Sequence, residues 1–200
     1  MRIFFTIVLI TISGYLFAQK TDKRKGSYSA YLYDVEKPIK IKEFALDSIT
    51  QSYEDSNIKI VWQYAGSQIG FELTNKLDKT IKVLWDEAAF ISVSNETEKI
   101  FHKGIKYIDR ENSQSPTAIY KGTTLSDLFS PTSYTSYTSG QYGGWNSRPL
   151  IPAVTSRWNG KAAFDESLVG RTLKVVLPIK VDEETLEYMF SFRTTFQEKK

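Results

Sequence analysis

Successive side chains of a β-strand point to opposite faces, so a strand with one buried face carries an apolar residue at every second position. This chain repeats that pattern almost from end to end. Ile58, Ile60, Trp62 and Tyr64 alternate with Asn57, Lys59, Val61 and Gln63. Ile69, Phe71 and Leu73 then alternate with Gln68, Gly70 and Glu72. The short connection Ala65-Gly66-Ser67 between these runs suits a β-hairpin. Ile81, Val83 and Trp85 continue the period after the turn-like set Asn75 to Lys79. Residues 89–93 and 99–103 predict a second hairpin through Ser94-Asn95-Glu96. Leu173, Val175, Leu177, Ile179 and Val181 predict a third, returning through Leu186, Tyr188, Phe190, Phe192 and Phe196. An earlier strand is expected over 28–33, with Ala30 and Leu32 inward.

Seven or eight short strands of this kind predict an all-β fold, an antiparallel β-sandwich of two sheets packed face to face with one long irregular loop. A closed barrel is the architectural alternative. Pro178 is expected on an edge strand, because proline cannot donate to a ladder. A single short helix is expected over 161–168, entered at Asn159 and stopped at Gly170.

The first eighteen residues follow a different rule. Met1-Arg2 precede an apolar stretch from Ile3 to Phe17, and Ala18 closes it. A charged start, an apolar centre and a small residue at the end make up a secretory signal. The stretch is also shorter than the roughly 20 residues needed to cross a bilayer. Residues 1–18 are therefore expected to be a cleaved signal peptide, with an uncleaved N-terminal anchor as the alternative, 19–27 a flexible basic tether, and 28–200 a single β-sandwich domain. The protein is expected to be exported, to the periplasm or the cell surface, without a transmembrane segment after cleavage. Cysteine is absent, which leaves no lipid anchor, disulfide or thiol chemistry. The core must instead hold by burial, for which 4 Trp, 12 Tyr and 12 Phe provide the area. A net charge of +3 spread over scattered Lys and Arg lacks the concentrated basic face of a nucleic-acid binder.

Residues 109–150 show no strong strand pattern, and a connection of that length tends to be functional or disordered. Its stretch 131–149 reads PTSYTSYTSGQYGGWNSRP. Tyr134, Tyr137, Tyr142 and Trp145 stand there among Ser, Thr and Gly, a composition suited to recognition, with rigid rings for area and hydroxyls that adapt. Such rings also stack on sugar faces. The competing reading packs them over a sheet edge as an extension of the core.

No constellation predicts catalysis, a metal or another cofactor. His102 is the lone histidine, no G-x-S-x-G elbow exists, and its place beside Phe101 suggests a structural role at a sheet edge. Asp86-Glu87 could be read as paired carboxylates for glycoside hydrolysis, but neighbours on a strand face opposite ways. Asp109, Glu111 and Asn112 lack calcium-loop spacing. Asn95-Glu96-Thr97 is a formal N-glycosylation site. Asp47-Ser48-Ile49 resembles the acidic–hydroxyl–apolar acceptor pattern of some bacterial O-glycosylation systems.

The run Phe71 to Lys76 and then Thr80 to Phe90, with Ser139-Gly140-Gln141-Tyr142-Gly143-Gly144-Trp145 and Leu150-Ile151-Pro152, resembles a pattern in uncharacterised exported bacterial proteins and lipoproteins. These have immunoglobulin-like sandwiches. The resemblance covers roughly residues 55–195 and implies a fold and an envelope location, but no activity. The chain departs from the lipoprotein members in lacking the lipidated cysteine.

The expectation is thus a non-enzymatic envelope protein that binds a protein or glycan partner through Tyr134, Tyr137, Tyr142 and Trp145. An envelope glycan hydrolase with carboxylates near Trp85, and a purely structural envelope component, are the alternatives.

Overall fold

The alternating runs become strands that bury the residues the pattern selects. The computed structural model describes residues 24–154 and 161–198. In chain order the strands are β1 (Lys25–Glu36), β2 (Phe44–Asp47), β3 (Ser52–Asp55), β4 (Ile58–Tyr64), β5 (Ile69–Asn75), β6 (Ile81–Val83), β7 (Ala89–Ile91) and β8 (Thr97–His102). They continue as β9 (Thr117–Ile119), β10 (Thr124–Pro131), β11 (Thr135–Thr138), β12 (Gly144–Ser147), β13 (Ala162–Ala163), β14 (Thr172–Val181) and β15 (Glu184–Glu198). Leu32, Ile60, Leu73, Leu173, Val175, Leu177 and Ile179 are all fully buried, at the parity the alternation predicts. Each such aliphatic side chain contributes about 2 kcal/mol when removed from water.

Every strand pairing is antiparallel. The expected division into two separate sheets is not what forms. A 13-stranded sheet runs in the order β13-β1-β15-β14-β7-β8-β10-β5-β4-β3-β2, with β6 branching from β14 and β9 from β6. It curls into a half-barrel whose two wings face each other. The join is β8, which pairs with β7 on one side and β10 on the other. Aromatic rings fill the space between the wings. Trp62 of β4 meets Phe190 and Phe192 of β15 at centroid distances of 4.9 and 5.4 Å, and Tyr53 of β3 meets Phe190 at 5.6 Å.

Four expectations are corrected. The 109–150 connection is not irregular throughout, since it contains β9, β10 and the separate β11–β12 hairpin. β10 lies between β5 and β8, and its pattern is disguised because an inward position of Leu125-Ser126-Asp127-Leu128-Phe129 is a charged residue. Pro178 is not on an edge strand. It stands where β14 changes partner from β7, at 174–176, to β6, at 179–181, so its missing N–H interrupts no ladder on that side. Residues 161–168 form β13 and a 3₁₀ turn, Glu166–Leu168, rather than one helix. Asp165 caps that turn by accepting the Ser167 N–H at 2.9 Å; the expected entry at Asn159 lies outside the described residues. β1 also takes in 25–27 of the expected tether.

Candidate functional site

The β11–β12 hairpin stands outside the large sheet and is held to it at its root. The chain leaves β10 through a 3₁₀ turn, Thr132–Tyr134, and enters β11 directly. Tyr134 points into the core, 7% exposed. Its ring sits edge-on to Phe90 at 6.0 Å and beneath the Arg148 guanidinium at 3.7 Å. Thr135 is buried, and its hydroxyl meets that of Ser147 at 3.1 Å across the base of the hairpin. On the return side Leu150 and Ile151 are buried, and the Leu150 N–H donates to the Gly66 carbonyl at 2.9 Å. The far turn requires glycine: a Cβ on Gly143 would come within 2.2 Å of the Thr138 carbonyl oxygen, and Gly140 has φ +120°.

Beyond the root the rings face solvent. Tyr137 and Trp145 are directly opposite in the hairpin register, which places both side chains on one face. Their ring centroids are 5.5 Å apart, with Tyr137 62% and Trp145 38% exposed. The platform extends into a neighbouring segment, since Tyr107 meets Trp145 at 5.5 Å and the Arg110 guanidinium lies 5.3 Å from the indole. Arg110 is fixed by donating from Nε to the Thr132 carbonyl at 3.1 Å and from a terminal nitrogen to the Tyr107 carbonyl at 2.9 Å. Tyr107 in turn packs edge-on to Phe101 of β8 at 5.8 Å. Tyr142 is 95% exposed at the hairpin tip.

The four rings singled out by sequence therefore divide. Tyr137, Tyr142 and Trp145 are presented to solvent, while Tyr134 anchors the hairpin. Sequence reasoning missed Tyr107 and Arg110, because no local pattern announces a contact across some thirty-five residues of chain.

The other candidates lead elsewhere. Asp86 and Glu87 lie in a turn after β6 and not on a strand. Asp86 accepts hydrogen bonds from the Ser113 hydroxyl and from the Gln114 N–H, which hold its carboxyl below the usual range. It thereby tethers the segment before β9. Trp85 is fully buried, so it offers no face to a substrate. His102 stacks on Trp85, with centroids 4.2 Å apart and planes within 3°. Its Nδ1 lies 3.0 Å from Asp127 Oδ2. Asp127 Oδ1 also accepts the N–H groups of Lys103 and Leu128 at 3.1 and 2.7 Å. This explains a carboxylate in the middle of β10: it ties β10 to the end of β8. A His–Asp pair activates a nucleophile only with a hydroxyl or thiol on the other ring nitrogen. Among the described residues none is hydrogen-bonded there.

Among the described residues no group of three or more His, Asp or Glu is arranged to hold a metal ion. No helix there is long and apolar enough to cross a membrane. A cavity of about 270 Å³ at the opposite end, beside Lys40, Asn57 and Lys79, is not a cationic site. Lys40 pairs with Glu184 at 2.6 Å and Lys79 with Asp182 at 2.5 Å. No family model, curated protein or solved structure matches the chain.

Proposed function

We propose that this is an exported, non-enzymatic envelope protein that binds a glycan on the aromatic platform of the β11–β12 hairpin. The observation that carries this reading is the pair Tyr137 and Trp145, held side by side in solvent on a hairpin rooted at both ends. Leaving two large rings exposed forgoes apolar burial that the core could have used. A ligand that covers them recovers it. The axial C–H faces of a pyranose ring suit the negative π-face of an indole or phenol. Ser136, Thr138 and Asn146 alternate onto the other face of the hairpin, where the Asn146 amide reaches the Thr138 hydroxyl, so the ring face itself is apolar. Arg110, fixed beside the indole and 3.8 Å from the Glu111 carboxylate, borders the platform as a hydrogen-bond donor for sugar hydroxyls. Export is supported by the signal-like residues 1–18, which lie outside the described residues.

The test is titration of residues 19–200 with cell-envelope polysaccharide fragments, followed by tryptophan fluorescence and calorimetry. Saturable binding that disappears in a folded Tyr137/Tyr142/Trp145→Ala variant is the expected result. Binding that survives that variant would remove the hairpin from the site. Tyr134 is left unchanged in the variant because it belongs to the core.

A further inference from the structure

The turn between β2 and β3 carries Asp47-Ser48-Ile49, and its geometry separates it from the other Asp-Ser pair of the chain, Asp55-Ser56. Asp47 spends both carboxylate oxygens on the turn itself. Oδ1 accepts the N–H groups of Ile49 and Thr50 at 2.8 and 3.3 Å, and Oδ2 accepts the Thr50 hydroxyl at 2.8 Å. Gln51, at φ 57°, clamps the other side. Its Nε2 donates to the Ser48 carbonyl, its Oε1 accepts the Leu32 N–H of β1 at 2.7 Å, and its carbonyl accepts the Trp62 N–H at 2.9 Å. The backbone at Ser48 is thus held in one shape and tied to the core. Yet Ser48 is exposed, its hydroxyl hydrogen-bonds nothing among the described residues, and Ile49 is 93% exposed. The other Asp-Ser pair lacks these properties. Asp55 is buried, Ser56 donates to Asn57 Oδ1 at 3.2 Å, and the next residue is polar.

We propose that Ser48 is an O-glycosylation acceptor of the folded protein, presented by the Asp47 turn and flanked by Ile49 as an apolar handle for the transferase. The assignment rests on the export reading above, and the co-substrate is a sugar or oligosaccharide activated as a glycosyl diphosphate, free or polyprenyl-linked. Ser48 Oγ attacks the anomeric carbon, and a carbon–oxygen bond forms as the bond to the diphosphate oxygen breaks. The diphosphate leaves with that electron pair. The hydroxyl proton passes to a base on the transferase, because Asp47 is committed to its turn. A clamped backbone helps the transfer, since the acceptor pays little ordering entropy on entering an active site. Ile49, 93% exposed, supplies apolar area that a transferase covers on docking.

The test is intact-mass and peptide mass spectrometry of the full chain, expressed in its source cell, beside Ser48→Ala, Ser48→Thr and Asp47→Asn. The wild type is expected to lose residues 1–18 and to carry saccharide mass on the peptide containing Ser48. Ser48→Ala is expected to run at its sequence mass, and Ser48→Thr and Asp47→Asn, whose amide oxygen can hold the same turn, to retain the saccharide, all with unchanged circular dichroism. A processed wild-type chain at sequence mass overturns the acceptor assignment alone. Saccharide persisting in Ser48→Ala, or phosphate in its place, also overturns it. An unmodified chain that retains residues 1–18 overturns the export reading with it.

Discussion

At Asp55 four donors converge on one buried carboxylate. Oδ2 accepts the hydroxyls of Tyr53 and Tyr188 at 2.8 and 3.0 Å, and Oδ1 accepts the N–H groups of Asn57 and Ile58 at 2.7 and 2.9 Å. Because Tyr188 belongs to β15 and Asp55 to β3, this carboxylate joins the two wings at the edge of the aromatic core. Asp55→Ala would strand all four donors, and a loss of about 3 kcal/mol is expected in chemical denaturation. Burial, followed by the influence of Asp55, pushes both tyrosine hydroxyls well above their ordinary value of 10.0. A raised folded-state pKa gives stability that is complete below the unfolded value and lost as pH climbs above it. The protein should therefore weaken from about pH 10 upward, by about 1.4 kcal/mol per pH unit for each tyrosine. Tyrosinate absorbance from these two rings should rise only as the chain unfolds. A flat stability profile through that window would show that the rings are solvated. Tryptophan gives a second comparison. Trp85 donates from Nε1 to the Thr117 hydroxyl at 2.8 Å, whereas Trp62 Nε1 is buried without a partner. Trp85→Phe should cost about 1 kcal/mol more than Trp62→Phe, and equal losses would show that the Thr117 bond contributes nothing.

The β11–β12 hairpin shows what one element can do when its root and its tip follow different rules. Tyr134→Ala opens a cavity against Phe90 and should cost about 3 kcal/mol. Removing Tyr137 deletes only a solvent-facing cross-strand pair, worth less than about 1 kcal/mol, whereas removing Trp145 also gives up its contacts with Tyr107 and Arg110. Thermal denaturation of the single variants checks this contrast, and a large loss in Tyr137→Ala would mean that the hairpin needs its platform to stay folded. β4, β5, β14 and β15 were legible in the sequence because each buries one face with apolar residues at strict period two. β10 was not, because Asp127 occupies an inward position that only its partners, His102 and the end of β8, make tolerable. The rings of the platform were legible by composition. Their division was not, since nothing local distinguishes Tyr134 from Tyr137: each follows Thr-Ser, and only the sheet beneath sends one inward. Tyr107 and Arg110 join the site by a long-range contact that periodicity does not encode.

At the scale of the whole molecule, the continuity of the sheet decides how stability is distributed. β14 is paired on both sides, by β15 and by β6 and β7, so its amides can exchange only when the two-winged core comes apart. Among the described residues the β11–β12 hairpin pairs with no other strand, and two strands alone are marginal in water. Its amides should exchange through local opening, orders of magnitude faster than those of β14 and β15. That difference makes the hairpin a reporter of its own ligand. A glycan that binds only the closed hairpin stabilises it by RT ln(1 + [L]/Kd), about 2.7 kcal/mol at a hundredfold excess over Kd. Exchange at 135–138 and 144–147 should then slow by about a hundredfold. The Tyr137/Tyr142/Trp145→Ala variant should show no such slowing. Hydrogen-exchange mass spectrometry of the two proteins, with and without the saccharide, reads both statements at once. Hairpin amides already as slow as those of β14 would remove the independently opening platform. Slowing that persists in the variant would move the ligand elsewhere on the fold.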